Sequence, residues 1–307
     1  MRLGARGIHL YELWPEDGSS LPLPAPGSHI DLILPNGLIR QYSLVTPKCT
    51  EHCYVIGVKH EPAGRGGSRW LHQELRLGQS LLVGACRNAF ELAESDSPYV
   101  LFAGGIGITP IYSMYCYLKA QGRQVHLHYW GESAQTMLFH DELAVDADVT
   151  LYPKTGYPKT GQSARPRLKA LAQSLSKDAQ IYCCGPGAMI EDLVEVAREC
   201  GLSDVHYEYF GKIESAAPEG AQQVTLAKSG RVIDVAEDES ILEALVRNDV
   251  DVMYSCEQGI CGACEVRFLE GDPVHMDRVK EASEHTKDRT MMICCSRAGA
   301  QKLVLDI

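Results

Sequence analysis

The chain has 307 residues, 45% hydrophobic and 22% charged, the balance of a soluble globular protein with two or three domains. That composition excludes a disordered chain, a collagen and a disulfide-bound miniprotein. A formal net charge of −11 argues against a nucleic-acid binder, which carries a basic face.

The first twenty residues include Arg2, Arg6, Glu12, Glu16 and Asp17 with no continuous apolar run, so no secretory leader is expected and the expected compartment is the cytoplasm. Over 1–94, short apolar runs at 29–34, 38–45 and 54–58 alternate with turn signals such as Pro35-Asn36-Gly37. Strands of this length and spacing predict an all-β domain, an antiparallel barrel or sandwich. Over 95–212 the pattern becomes strand, turn and helix. Strands are expected at 99–103, 125–130 and 181–184, with helices at 110–120 and 188–199, closed by Gly122 and Gly201. That alternation predicts an α/β domain on a parallel sheet. No charged residue occurs over 99–118, yet Gly104, Gly105, Gly107 and Pro110 interrupt it. It reads as strand, glycine turn and helix, not as a membrane span.

The segment 213–221, with Ala216, Ala217, Pro218 and Gly220, has the composition of a linker. Beyond it a hairpin is expected from 223–227 and 231–235. A helix over 241–247 follows, opened by a capping box of Ser240 and Glu243. From 222 to 307 there are 16 acidic and 10 basic residues, a balance of −6, which suggests a partner of its own for this piece.

Twelve cysteines in an intracellular chain point to metal or redox chemistry before disulfides. Cys256, Cys261 and Cys264 stand in the spacing C-x4-C-x2-C, with Cys294 thirty positions further on. This is the plant-type ferredoxin arrangement for a [2Fe-2S] cluster, in which four thiolates hold two irons. Gly259, Gly262 and Ala263 keep the loop bare enough for backbone N–H groups to reach the sulfurs. A four-cysteine zinc site and plain buried thiols are the alternatives, although zinc generally takes two close pairs. Cys295, next to Cys294, is a rival fourth ligand.

Residues 223–307, ending Ile293-Cys294-Cys295-Ser296-Arg297-Ala298, resemble the ferredoxin domain of the phthalate dioxygenase reductase family, the class IA oxygenase reductases that include vanillate O-demethylase reductases. In that family the ligand is the Cys three positions before the Arg of the C-x-S-R-A ending. That position is Cys294, which leaves Cys295 in a non-ligand place. The resemblance covers essentially the whole chain and implies a multidomain fold. A flavin β-barrel spans 1–94, an α/β nicotinamide domain 95–212 and a linker 213–221, and an α+β β-grasp ferredoxin domain spans 222–307.

Arg40-Gln41-Tyr42-Ser43 matches the R-x-Y-S element of the family's flavin barrel. Tyr42 can lie against the isoalloxazine, Ser43 can bond near its N5, and Arg40 can grip a phosphate. Val58, Lys59 and His60, followed by Gly64-Arg65-Gly66-Gly67-Ser68, form the second element, whose glycine turn suits a phosphate nest. Together these imply FMN bound by Arg40, Tyr42, Ser43, Val58, Lys59, His60, Gly66, Gly67 and Ser68.

The loop Gly104-Gly105-Ile106-Gly107-Ile108-Thr109-Pro110 stands between strand and helix, where amides and the helix dipole hold a pyrophosphate. Pro110 replaces the third glycine of the dinucleotide fingerprint. The resemblance assigns Gly104, Gly105, Gly107 and Thr109 to the nicotinamide cofactor, together with Cys184, Gly185 and Pro186. Phe210 matches a family aromatic near flavin and nicotinamide. Glu132 stands where relatives tend to have Arg and favours NADH through a ribose hydroxyl, whereas Lys154 and Lys159 favour a 2′-phosphate.

The implied activity is an NADH-dependent FMN and [2Fe-2S] reductase that feeds single electrons to a separate terminal oxygenase of the Rieske non-haem iron type. No nucleic-acid or membrane partner is expected. No side chain is required as acid, base or nucleophile, and His72, His128 and His206 are expected to be packed or exposed. An FAD-containing reductase serving another acceptor, and a redox sensor that binds nucleotides only for regulation, remain as alternatives.

Overall fold

The computed structural model describes residues 1–64, 66–153, 165–210, 222–236, 239–254, 259, 262–277, 279–299 and 302–307. The chain packs as two units, Met1–Phe210 and Gly211–Ile307. In the first unit, strands β1 (Arg2–Ala5), β2 (Ile8–Leu13), β3 (Ser28–Ile33), β4 (Ile39–Ser43), β5 (Tyr54–Lys59), β6 (Leu82–Val83) and β7 (Arg87–Asn88) are all antiparallel. They form sheets ordered β1-β2-β5 and β4-β3-β6, with β7 also on β3, and a bridge between Leu44 and Ile56 joins the two. The interior of this barrel is filled by Ile30, Leu32, Leu44, Ile56 and Val58.

The β3–β4 hairpin turns at the expected place. Gly37 takes φ 82°, which other residues adopt only under strain, and Leu38 N–H donates to Asn36 Oδ1 at 3.2 Å. One element differs from the sequence reading. The glycine-rich stretch after β5 runs directly into a helix, α1 (Gly67–Gln73), with Gly66 in the left-handed region at φ 84°. Glycines inside a helix obscure its periodicity, so the pattern read as a bare turn.

The second layer of the same unit contains β8 (Tyr99–Gly104), α2 (Ile108–Ala120), β9 (Val125–Trp130), α3 (His140–Leu143), β10 (Val149–Tyr152), α4 (Arg165–Ser174), β11 (Gln180–Gly185), α5 (Gly187–Glu199) and β12 (Val205–Tyr209). Its sheet is parallel throughout, in the order β10-β9-β8-β11-β12. β8 and β11 are buried along their whole length, which is why they read as unbroken apolar runs. The chain reverses its direction of travel across the sheet between these two strands. Open α/β sheets bind ligands outside the strand ends at such a switch point.

α5 turns Met189, Ile190, Leu193, Val196 and Ala197 inward on one stripe. α2 is buried on most of its circumference because it has the sheet on one side and the barrel on the other. Ile8, Val45 and Val55 share one core with Leu101, Ile111, Met114 and Leu118. It starts two residues before the expected position, since Pro110 fits a first turn whose N–H groups are unpaired anyway.

In the second unit, β13 (Gln222–Leu226), β14 (Val232–Val235), β15 (Glu265–Glu270), β16 (Thr290–Met292) and β17 (Leu303–Leu305) form a mixed sheet, β14-β13-β17-β15-β16. α6 (Ile241–Arg247) buries Ile241, Leu242, Ala244 and Leu245 in the same core as Val224, Phe268 and Leu305. A short helix α7 (Ala282–Asp288) precedes β16. The capping box at α6 is present, Glu243 N donating to Ser240 Oγ at 3.1 Å and Ser240 N to Glu243 Oε2 at 2.8 Å. Such a cap stabilises by about 1 kcal/mol. The expected linker 213–221 lies outside the described residues.

Candidate functional site

β4 and β5 place the barrel candidates side by side. Arg40, Tyr42 and Ser43 lie on β4, Val58 and Lys59 on β5, and His60 follows it. The Arg40 side chain crosses the start of α1. A Cβ on Gly67 would stand 2.5 Å from Arg40 Cγ, so only glycine lets it pass. The structure thereby brings Arg40 against Gly67, which lies between Gly66 and Ser68 in the chain. Ser68 Oγ accepts from Glu61 N at 3.1 Å, and Lys59 Nζ pairs with Glu61 at 2.6 Å. Val58 points into the barrel, while its carbonyl accepts from His72 Nε2 at 2.9 Å.

His60 is less settled. Its Nε2 is buried without a hydrogen-bond partner, beside His72 (ring centroids 5.1 Å apart), which in turn stacks on His9 at 4.2 Å. An orphaned buried polar atom costs about 1–3 kcal/mol and marks a place where a bound group completes the site. The barrel residues therefore fit a flavin.

The nicotinamide candidates meet at the switch point. A Cβ on Gly104 would lie 2.5 Å from Pro186 Cδ, and one on Gly107 2.2 Å from the Cys184 carbonyl oxygen. The two glycine loops thus rest on each other, backbone to backbone. Gly105, at φ 54°, faces open space where its Cβ would meet nothing within 4 Å. Bare backbone beside open space suits a pyrophosphate. Thr109 is buried and donates to Ile106 O at 3.1 Å, and its methyl faces Gly57 of β5, where a Cβ would be 2.9 Å away.

Glu132 is exposed just past β9, and Phe210 is half-buried just past β12. Lys154 and Lys159 lie outside the described residues. His128 is buried against Phe102 and bonded to Tyr152 at 3.0 Å, with burial pushing its pKa down to about 3. His206 stacks on Tyr182. Both are packed side chains.

Sequence reasoning assigned nothing to Glu208. On β12 it stands in register with Cys184 of β11, whose thiol burial raises well above the ordinary range. Glu208 Oε2 is buried without a partner, and burial pushes the carboxyl up to about 8, so it keeps its proton at neutral pH. In the sequence it reads as a surface acid on a strand, so no local signal marks it. The unfolded chain loses this proton near 4.5 while the native chain holds it to about 8. Glu208 therefore makes the first unit lose stability as pH rises through that window, by at most about 1.4 kcal/mol per pH unit. Glu208→Gln should flatten this slope in denaturant titrations followed by tryptophan fluorescence. An unchanged slope would refute the assignment. All three tryptophans, Trp14, Trp70 and Trp130, lie in the first unit.

In the second unit Cys264 and Cys294 are buried and Cys256 and Cys261 lie outside the described residues. The Cys294 thiol is hydrogen-bonded to Cys264 and receives a backbone bond from Gly259, both of which favour the thiolate. The Cys295 contact and burial outweigh them and push it up to about 12. Gly259, at φ 70°, has no room for a side chain, since a Cβ would stand 2.5 Å from Cys295 Sγ. Two facing thiols with an amide aimed at one of them fit a thiolate-bound cluster.

Among the described residues, His275, Asp277 and His285 bring ligand-type atoms within 4.8 Å of one another. The two imidazoles are stacked, 8° from parallel with centroids 4.3 Å apart. A metal lies in the plane of each imidazole that binds it, and parallel planes do not meet. The trio therefore acts as a buried pair, His285 Nε2 lying 2.8 Å from Asp277 Oδ2, with His275 stacked on it.

Residues 101–195 match the oxidoreductase NAD-binding domain family, and residues 224–299 match the 2Fe-2S iron-sulfur cluster binding domain family. The chain is 41% identical to phenoxybenzoate dioxygenase subunit beta of Ectopseudomonas oleovorans, over 99% of its own length and 94% of the relative. It is 36% identical to vanillate O-demethylase oxidoreductase of a Pseudomonas species (strain HR199 / DSM 7063), over 100% and 98%. The solved structure of phthalate dioxygenase reductase superposes with a TM-score of 0.77 at 33% identity, covering 99% of this chain and 94% of that one. With nicotinamide and cluster modules in the same order and identity sustained along nearly the full length of these proteins, the chain belongs to the phthalate dioxygenase reductase family.

Proposed function

We propose that this chain is the NADH-dependent reductase component of a two-component aromatic oxygenase or demethylase, holding FMN on its barrel and a [2Fe-2S] cluster in its second unit, and passing electrons to a separate Rieske-type oxygenase. When bound, the flavin takes two electrons from the nicotinamide as hydride and releases them singly to the cluster. One observation carries the reading. Thr109, at the head of α2, lies against Gly57 of β5, one residue before Val58. The loop expected to hold the nicotinamide therefore abuts a strand expected to hold the flavin, as direct hydride transfer requires.

In this reading Arg40 and residues 66–68 hold the flavin phosphate, and Tyr42 and Ser43 its ring. The amides at Gly104, Gly105, Gly107, Gly185 and Pro186's loop hold the dinucleotide, with Glu132 accepting from a ribose hydroxyl and repelling a 2′-phosphate. Cys256, Cys261, Cys264 and Cys294 hold the irons. The names of the curated relatives, a dioxygenase subunit and a demethylase oxidoreductase, support an oxygenase as the acceptor. No helix among the described residues is long and apolar enough to cross a membrane, and all ten described cysteines are free, which supports a reducing cytoplasmic setting.

The test uses the purified protein with its oxygenase. Denaturation should release FMN, and kcat/KM should be higher with NADH than with NADPH. Released FAD or a preference for NADPH would overturn the corresponding assignment. The balance of −6 over 222–307 adds a second expectation. Acidic charge steers a basic partner and raises the encounter rate more than the final affinity. The Debye length falls from roughly 10 Å at 0.1 M to 3 Å at 1 M salt. Electron delivery to the oxygenase should slow across that range while reduction of a small neutral acceptor holds nearly constant. Equal salt dependence of both would remove acidic docking.

A further inference from the structure

Ser113 lies one turn beyond Thr109 on α2 and is wholly buried. Its Oγ accepts from Thr46 N at 3.0 Å and shares its proton between Leu44 O and Thr109 O, each at 3.0 Å. Serines inside helices commonly bond their own i−4 carbonyl and go no further. This one also reaches out of the helix to the exit of β4, to the residue directly after Ser43. With Thr109 seated on Gly57, a single helical turn touches both strands expected to hold the flavin. A second tie joins the same layers, Lys48 Nζ to Glu142 at 3.1 Å, but both side chains are partly exposed. Exposed pairs of that kind contribute about 0–1 kcal/mol. The buried hydroxyl and the close approach at Gly57 add directed contacts to the apolar core that the two layers share.

We propose that Ser113 is a positioning residue for hydride transfer, locking the end of β4 to the nicotinamide helix, with Gly57 providing the matching close approach on β5. This rests on the reductase reading above. The hydride leaves NADH with its electron pair and arrives on the flavin, leaving NAD+. Its rate depends steeply on how the two rings are held, and a misplacement of about 1 Å costs up to about 100-fold. Neither Ser113 nor Gly57 touches the reacting atoms in this account.

The test is made on holoprotein carrying Ser113→Ala. The limiting rate of flavin reduction by NADH should fall about tenfold. The Kd for NADH should stay within about threefold, and reduction by dithionite, which needs no aligned nicotinamide, should be unchanged. Amide exchange at Thr46 should accelerate, a readout independent of turnover. An unchanged limiting rate with faster Thr46 exchange, or a rate loss matched by an equal loss in NADH affinity, would overturn the proposal.

If Ser113→Ala does not fold, Gly57→Ala serves instead. Its new Cβ would stand 2.9 Å from Thr109 Cγ2 and 3.2 Å from the flexible tip of Leu138, and the same rate loss is expected. An unchanged limiting rate in Gly57→Ala would overturn the proposal. Failure of the wild-type flavin to be reduced by NADH would overturn the reductase reading instead.

Discussion

Cys294→Ser should abolish the visible absorbance of the [2Fe-2S] cluster and most of the bound iron, whereas Cys295→Ser should leave both largely intact. The two thiols are neighbours in sequence but not in environment. Cys294 is hydrogen-bonded to Cys264 and receives the Gly259 amide, the kind of contact that stabilises charge on a ligating sulfur. Cys295 Sγ instead lies against the space that a side chain on Gly259 would occupy, with Met292 O at 3.8 Å. Serine there loses one sulfur's packing, a cost of about 1 kcal/mol that a bound cluster covers easily. Serine at 294 replaces a soft thiolate by a hydroxyl that is poorly matched to iron–sulfur ligation. Iron content and spectrum responding in the opposite order would move the fourth ligand to Cys295.

The features legible in the sequence are those whose cause is local. β8 and β11 are legible as apolar runs because both faces of a central parallel strand are buried. The turn at Gly37 and the cap at Ser240 were visible because turn and cap chemistry is written within four residues. The cysteine spacing belongs to the same class. Features that depend on a distant surface were not legible. Gly67 is required by Arg40 and Gly57 by Thr109, and neither requirement appears until the layers meet. Ser113 reads as an ordinary polar residue in a helix, and Glu208 as a surface acid on a strand. Their meaning comes from burial against Leu44 in the one case and beside Cys184 in the other.

Gly107→Ala should weaken nicotinamide binding while sparing both other cofactors. Gly107 has φ −58°, so alanine costs nothing in backbone conformation there and the whole effect is steric. The new Cβ would sit 2.2 Å from the Cys184 carbonyl oxygen, 2.5 Å from its carbon and 2.8 Å from Gly185 N. All three are backbone atoms of β11, a strand buried along its length between β8 and β12, and none can swing aside as a side-chain tip would. Relief must come from parting the two glycine loops, which destroys the cradle at the switch point. Overpacking of this kind costs about 1–3 kcal/mol, which corresponds to a loss of NADH affinity of about 5- to 150-fold. Gly105→Ala is the informative control. Its Cβ meets nothing within 4 Å in the protein, but the residue sits at φ 54°, a conformation that costs a non-glycine residue about 1–2 kcal/mol. Its effect should appear mainly as lower stability of the first unit, together with whatever contact the new methyl makes with the bound nucleotide. FMN content and the cluster spectrum should match wild type in both variants, since the residues assigned to those groups lie on β4, on β5 and the segment from it into α1, and in the second unit. Wild-type NADH affinity in Gly107→Ala would show that the two loops part without consequence and would remove the dinucleotide from this switch point.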